Sequence, residues 1–449
     1  MLDLNASPSS GLVGRDLRHV WHPCSQMKDY ESFLPLEVIG ASGSYLHLAE
    51  GRKLIDAVSS WWCKTLGHGH PRLRAALSQQ MDRFEHVILA NTTNELIVSL
   101  SERLAALAPG LNRVIYAGDG STAVEVAAKL ALHAKQIEGR SNAISFMALE
   151  NGYHGETALT LALGDLGLYS EAYRSLMPQV HFLRGLPYVD SVSHPLWTDC
   201  SEVWPQLEKQ LEEKASRLCA IIVEPILQGA GGMRIYSADF LRRLRAWTKA
   251  QGITLIADEI LSGFGRTGTM LACEHAGIIP DIVCLSKGLT AGWLPMSAVL
   301  VSEAMYGQFY ADYGQGRDFL HSNTYAGNAL AAAVALEALN IFQDERILAQ
   351  VRVNGPRLVS GMRHVAETTG RLQHLRAIGA VVAADLQGAG TGNGQRAGFR
   401  VFQEAVKRGA LLRNLGDTVY WLLPLNVGAN VIEDLEAITI EAIKAALDS

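Results

Sequence analysis

Three short apolar runs in the middle of the chain each lead to an ionisable side chain. AIIV is followed by Glu224, TLIA by Asp258, and IVCL, through Ser286, by Lys287. A strand with one wet face alternates apolar and polar residues, whereas a run without alternation is covered on both faces. Between these runs, and on either side of them, stretches 122–137, 201–216 and 238–251 place apolar residues at helical spacing. Further apolar runs occupy 113–117, 143–149 and 296–301. Strands and helices in alternation predict an α/β fold on a mostly parallel, doubly wound sheet. Such sheets bind ligands beyond the carboxyl ends of their strands, which is where those ionisable groups would stand.

With 449 residues the chain exceeds what one core sustains, so two domains or one large domain with appendages are expected. The texture changes after about residue 326. Helical stretches 326–342 and 346–368 lead to a strand at 377–386 and a glycine-rich run at 388–394, read as a flexible connection. A helix near 399–408, two short strands and a helix near 431–447 follow. The expectation is a large domain over 70–335 and a smaller α+β domain made from 1–69 and 336–449.

Composition removes several function classes. Hydrophobic residues at 48% against 19% charged exclude a disordered chain. A net charge of −6 argues against gripping nucleic acid or an anionic membrane. No apolar run reaches the roughly 18 residues of a spanning helix. The opening residues lack the apolar stretch of a secretion signal, so a cytoplasmic location is expected. The six cysteines are scattered without a CxxC pair and read as reduced thiols. His68 and His70 in GHGHP suggest a metal pair, but no third ligand has suitable spacing; they read as turn histidines, and no metal is expected.

Two glycine loops, Gly118–Ala123 (GDGSTA) and Gly263–Gly268 (GFGRTG), match the G-x-G-x-x-G/A pattern and are expected where a strand turns into a helix. Taken alone they would suggest a dinucleotide-binding oxidoreductase. Two matches in one chain, with Asp119 inside the first and Asp258 and Glu259 ahead of the second, speak against that. For Gly120 and Ser121 two readings stand: helix-start amides that favour a phosphate monoester, or a serine that merely caps the helix. Lys287 either has its amine freed by desolvation for Schiff-base chemistry or snorkels to solvent. Asp258 either faces a cationic ring nitrogen or caps a turn. The rings of Trp61, Trp62, Tyr153 and His154 lie near glycine-rich turns, where they stack on a flat cofactor, wall a pocket or pack in the core. Lysine, acids and a phosphate-binding helix start together shift the balance toward pyridoxal phosphate.

The run ADEILSGFGRTGTMLACEHAGIIPDIVCLSKGL resembles the signature of the class III aminotransferases, pyridoxal-phosphate enzymes of fold type I. GDGSTAVEVAAKLAL, NGYHGET, EPILQGAGGM and HSNTYAGNALA carry the resemblance from about Trp21 to about Leu425. WHP, SSWW and the arginine of LLRNLG narrow it to the branch that aminates the ketone of 8-amino-7-oxononanoate in biotin biosynthesis. The resemblance implies that Lys287 is the Schiff-base lysine, Asp258 the partner of the pyridine nitrogen, and Gly120 with Ser121 the phosphate-binding turn. It implies that Tyr153 covers the cofactor ring, Trp61 walls the substrate pocket and Arg413 holds the substrate carboxylate. Thr324, with Ser322 and Asn323 beside it, corresponds to the segment donated to the other subunit of a homodimer. Ser322 and Asn323 stand where well-known members carry glycine and proline. Cys24 stands where they carry a substrate-recognising tyrosine, which a thiol cannot replace in stacking. That leaves the amino donor open between the usual S-adenosylmethionine and the lysine of some relatives. Within the family, an ω-amino acid–pyruvate or acetylornithine-type enzyme is the alternative.

Overall fold

The computed structural model describes residues 11–387 and 396–447; the glycine-rich run at 388–394 lies outside the described residues. At its centre is a seven-stranded sheet in the order Arg113–Ala117, Ser297–Val301, Ile282–Leu285, Thr254–Asp258, Leu218–Val223, Ser145–Leu149, Val180–Leu183. Ser297–Val301 runs antiparallel to both neighbours, and the other adjacent pairs are parallel. The three strands that lead to Glu224, Asp258 and Lys287 are consecutive in this order. Their register pairs Ala257 with Val223 and Asp258 with Cys284, so the three ionisable groups emerge along one edge.

Both faces of the sheet are covered, as uninterrupted apolar strands require. On one face Val124, Ala127, Leu130 and Ala131 of the helix Gly120–Ile137 pack with Ile222, Ile256, Cys284 and Val299. On the other, Leu241, Leu244 and Trp247 of the helix Ala238–Gln251 pack with Ile221, Val223 and Leu255.

Beside this sheet, strands Val38–Ser42, Tyr45–Leu48 and Lys53–Asp56 form an antiparallel unit, and Ala410–Leu411 joins Lys53–Asp56 in parallel. A second small sheet holds Leu372–Ile378, Val381–Leu386 and Thr418–Trp421. The helices Ile347–Thr369 and Ala429–Leu447 pack together beside it.

Two local expectations are corrected. Stretch 377–386 is not one strand but the end of Leu372–Ile378, a turn at Gly379 and the strand Val381–Leu386. Gly379 has φ +54°, and a Cβ there would lie 2.3 Å from the carbonyl carbon of Thr267. Its apolar neighbours hide the turn in the sequence, because no polar turn residue marks it. The loop Gly263–Gly268 does not open a helix. It folds back on itself through Phe264 N–H to Met270 O (2.7 Å) and Gly265 N–H to Thr269 O (3.1 Å), and a single short turn, Ala272–Ala276, follows.

Candidate active site

A cavity of about 200 Å³ opens at the carboxyl edge of the central sheet, lined by Trp62, Gly120, Ser121, Tyr153, Glu224, Asp258 and Lys287 among others. Lys287 leaves the strand Ile282–Leu285 with φ +39°, a conformation uncommon for a lysine. It does not snorkel: its Nζ lies 4.7 Å from the centroid of the Trp62 ring. Burial pulls its pKa down, against the opposing pull of Asp258 and Glu224, and so favours a neutral, nucleophilic amine.

Asp258 is buried and bonded on both oxygens. Its Oδ2 lies 2.7 Å from His154 Nδ1, and its Oδ1 accepts the Ile260 N–H at 3.2 Å. The turn-capping alternative is therefore real for one oxygen, while the other faces His154. The far nitrogen of His154, Nε2, is buried without a partner. Glu224 is also buried; its oxygens accept the N–H groups of Tyr153 and Gly229, both at 2.9 Å. Burial pushes its pKa up to about 7, with His154 pulling the other way.

The helix Gly120–Ile137 removes one of the two readings of the first glycine loop. Its N-cap is Asp119, whose side chain accepts from Thr122 N–H at 2.9 Å, so Ser121 is not the cap. The first intrahelical bond runs from Ala123 N to Asp119 O (3.1 Å), and the amides of Gly120 and Ser121 fall ahead of it. Helix-start amides of this kind bind anions. The Ser121 hydroxyl faces the Glu156 N–H at 3.4 Å.

A larger cavity of about 840 Å³ adjoins this region, lined by Cys24, Phe33, Trp61, Phe402, Arg413 and Tyr420 among others. Arg413 follows the short strand Ala410–Leu411, and its guanidinium carbon lies 4.2 Å from the centroid of the Trp61 ring. Cys24 has φ +47° and directs its thiol to Glu156 Oε1 at 3.7 Å. Burial and then the Glu156 carboxylate raise its pKa, so it is a thiol and not a thiolate. The Tyr153 hydroxyl donates to the same carboxylate at 3.0 Å.

Ser59, Ser60, Trp61 and Trp62 have φ of 46°, 46°, 69° and 75°, making a left-handed turn without a glycine. Such residues cost about 1–2 kcal/mol each, so surrounding contacts must hold them. Ser59 Oγ donates to Leu422 O (2.7 Å), and Trp62 Nε1 donates to Tyr420 Oη (3.1 Å).

The structure thus brings Lys287, Asp258, Tyr153, Gly120 and Ser121 to one cavity, and Cys24, Trp61 and Arg413 to the next. Ser322, Asn323 and Thr324 line neither; they lie on a separate segment where the Thr324 carbonyl accepts from His86 at 2.8 Å. His68 bonds to Asp56 and His70 to Glu345, and among the described residues no cluster of ligand-type side chains could hold a metal. Sequence reasoning placed Glu224 at the strand-end crevice without giving it a role, and named Trp62 and His154 only as rings near glycine-rich turns. No local signal could have joined His154 to Asp258, 104 positions away.

The chain belongs to the class III aminotransferases, a family whose pattern it matches over residues 26–447. It is 37% identical to the adenosylmethionine-8-amino-7-oxononanoate aminotransferase of Helicobacter pylori, over 92% of this chain and 93% of that one. It is 36% identical to the enzyme of the same name from Nitratidesulfovibrio vulgaris, over 96% of this chain and 81% of that one. The crystal structure of the Methanocaldococcus jannaschii enzyme of that name matches with a TM-score of 0.88 at 29% identity, covering 96% and 98% of the two chains. A PLP-bound amine transaminase from an uncultivated Pseudomonas species matches with a TM-score of 0.84 at 28% identity, over 96% and 98%.

Class III aminotransferases work with pyridoxal phosphate, and the cavity fits it. It offers a desolvated amine for an aldehyde, a buried carboxylate for a cationic ring nitrogen, helix-start amides for a phosphate and the Tyr153 ring as a wall.

Proposed function

We propose that this aminotransferase transfers an amino group to the ketone of 8-amino-7-oxononanoate, giving 7,8-diaminononanoate in biotin biosynthesis, with S-adenosylmethionine as donor. The curated relatives named above support the acceptor. The observation that carries the reading is Arg413, a guanidinium held over Trp61 in an aromatic-lined groove next to the Lys287 cavity. A substrate with a carboxylate far from its reacting carbon needs such a reader, and a guanidinium meets a carboxylate with two parallel hydrogen bonds.

Pyridoxal phosphate, when bound, supplies a ring that accepts electrons from the carbon losing its proton. The rest is done by this chain. Lys287 would take a proton from the donor carbon in one half-reaction and deliver one to the acceptor carbon in the other. Asp258, held by His154, keeps a proton on the ring nitrogen. Gly120 and Ser121 hold the phosphate, and Tyr153 closes over the ring. Trp61 and Cys24 line the substrate groove.

The reading includes a homodimer in which Ser322, Asn323 and Thr324 complete the phosphate and substrate sites of the neighbouring subunit. Their absence from the linings of both cavities of their own chain supports this. It includes a cytoplasmic location; among the described residues no helix is long and apolar enough to cross a membrane. It also takes 1–69 with 336–449 as one domain against 70–335. The pairing of Lys53–Asp56 with Ala410–Leu411 supports that division, although the junction at 335/336 lies inside the continuous helix Ala329–Asp344.

A donor and acceptor screen of the cofactor-loaded enzyme tests the reading. The expected product is 7,8-diaminononanoate, formed with S-adenosylmethionine faster than with lysine. Turnover of pyruvate but not of 8-amino-7-oxononanoate would overturn it.

A further inference from the structure

The left-handed turn 59–62 presents neighbouring rings to two different basic side chains. Trp62 faces Lys287 at 4.7 Å and Trp61 faces Arg413 at 4.2 Å. In the proposed reaction one end of the acceptor meets Lys287 and the other meets Arg413. Both ends of that acceptor would therefore border one strained turn.

That turn is pinned by a fully buried carboxylate. Asp56, the last residue of the strand Lys53–Asp56, accepts the Ser60 N–H on Oδ1 (3.0 Å). On Oδ2 it accepts the Ser60 hydroxyl (2.7 Å) and lies 2.8 Å from His68 Nε2. Hydrogen bonds from His68 and Ser60 hold the carboxyl below its ordinary range despite its burial. An ionised carboxylate only accepts, so His68 Nε2 carries the hydrogen and donates it. His68 is itself fixed, exchanging two backbone hydrogen bonds with Gly43 (2.8 and 2.9 Å). The same strand also sets the carboxylate end, because Asp56 pairs with Leu411, two residues before Arg413.

We propose that Asp56 and His68 are positioning residues that clamp the turn 59–62 and thereby set the chain length of acceptor the enzyme selects. The proposal rests on the functional reading above. Without the clamp the strained turn relaxes, Trp61 loses its place under Arg413 and the span between Lys287 and Arg413 is no longer fixed.

The test compares cofactor-loaded wild type, His68→Ala and His68→Gln on 8-amino-7-oxononanoate and on its homologues one methylene shorter and longer. Near-ultraviolet circular dichroism of the tryptophans is recorded with and without cofactor. The wild type should prefer the natural length by about tenfold or more, the usual worth of one methylene in a fitted pocket. His68→Ala should bring that ratio below about threefold, mostly through KM, with an altered tryptophan signal and a donor half-reaction within about threefold of wild type. His68→Gln, which keeps an N–H donor, should restore selectivity. An unchanged ratio in folded His68→Ala, or a lowered melting temperature as its only effect, overturns the proposal. If the wild type used none of the three acceptors, the functional reading would fall. The clamp would then be judged on the tryptophan signal, and no change in His68→Ala would reject it.

Discussion

The two ends of the active-site groove are built in different ways. At the sheet edge, Glu224, Asp258 and Lys287 each stand at or just after the end of a central strand, and main-chain pairing sets their spacing. At the groove end, Cys24, Trp61 and Arg413 come from segments far apart in the chain, two of them in left-handed backbone. The sheet edge is buried, whereas Trp61 is 41% exposed. Under the proposed function, chemistry that tolerates no misplacement sits on the rigid element, and recognition sits on assembled segments that can differ without disturbing it.

If that division is right, substitutions at the sheet edge should abolish chemistry and those in the groove should alter selection. The largest effect belongs to Lys287→Ala, which should eliminate turnover while the protein stays folded. Wild-type turnover, with a cofactor link still reducible by borohydride, would break the assignment. Asp258→Asn should keep the cofactor but slow both half-reactions about 100-fold or more, because an amide cannot hold the ring-nitrogen proton electrostatically. Single-turnover absorbance measurements check this, and near-normal rates would reject it.

Arg413→Ala should act on selection. A desolvated guanidinium–carboxylate pair is worth on the order of 2–5 kcal/mol. The KM for 8-amino-7-oxononanoate should therefore rise more than about tenfold, with a smaller effect on a half-reaction with S-adenosylmethionine. A donor half-reaction that suffers equally would place Arg413 on the donor or on the fold, and the contrast between the two ends would blur.

The smallest effect concerns stability. Glu224 has its pKa raised by burial from 4.5 to about 7, so the folded protein binds more protons than the unfolded chain between those values. Its contribution to stability is full below pH 4.5 and is lost as pH rises through about 7. Glu224→Gln should remove that slope, on the order of 1–3 kcal/mol across the window. Melting temperatures of the two proteins measured across the range check it; parallel curves would count against the shift.

Much of the sheet edge was legible before the fold was known. Apolar runs without alternation identify buried strands, and an ionisable residue after each one announces a crevice. The phosphate-binding reading of Gly120 and Ser121 was legible only as one of two possibilities. Asp119 removed the rival by serving as the cap itself. GFGRTG misleads because glycine permits many turns, and here the loop bonds back on itself at Phe264 and Gly265. The hairpin at Gly379 was invisible because its turn has no polar residue.

By itself the sequence determined six of the seven central strands, all but the edge strand Val180–Leu183, with the glycine-start helix and the strand-end acids and lysine, because period and turn chemistry act between near neighbours. The family resemblance, read from motifs along the chain, named Arg413 and Trp61 without giving their geometry. The tertiary structure alone decided that His154 faces Asp258, that Trp62 faces Lys287 and that Trp61 lies under Arg413. It also decided that four non-glycine residues at 59–62 adopt left-handed backbone. A conformation that local energetics disfavour can be specified only by distant contacts, here Asp56 with His68 and Leu422 with Ser59, that hold it in place.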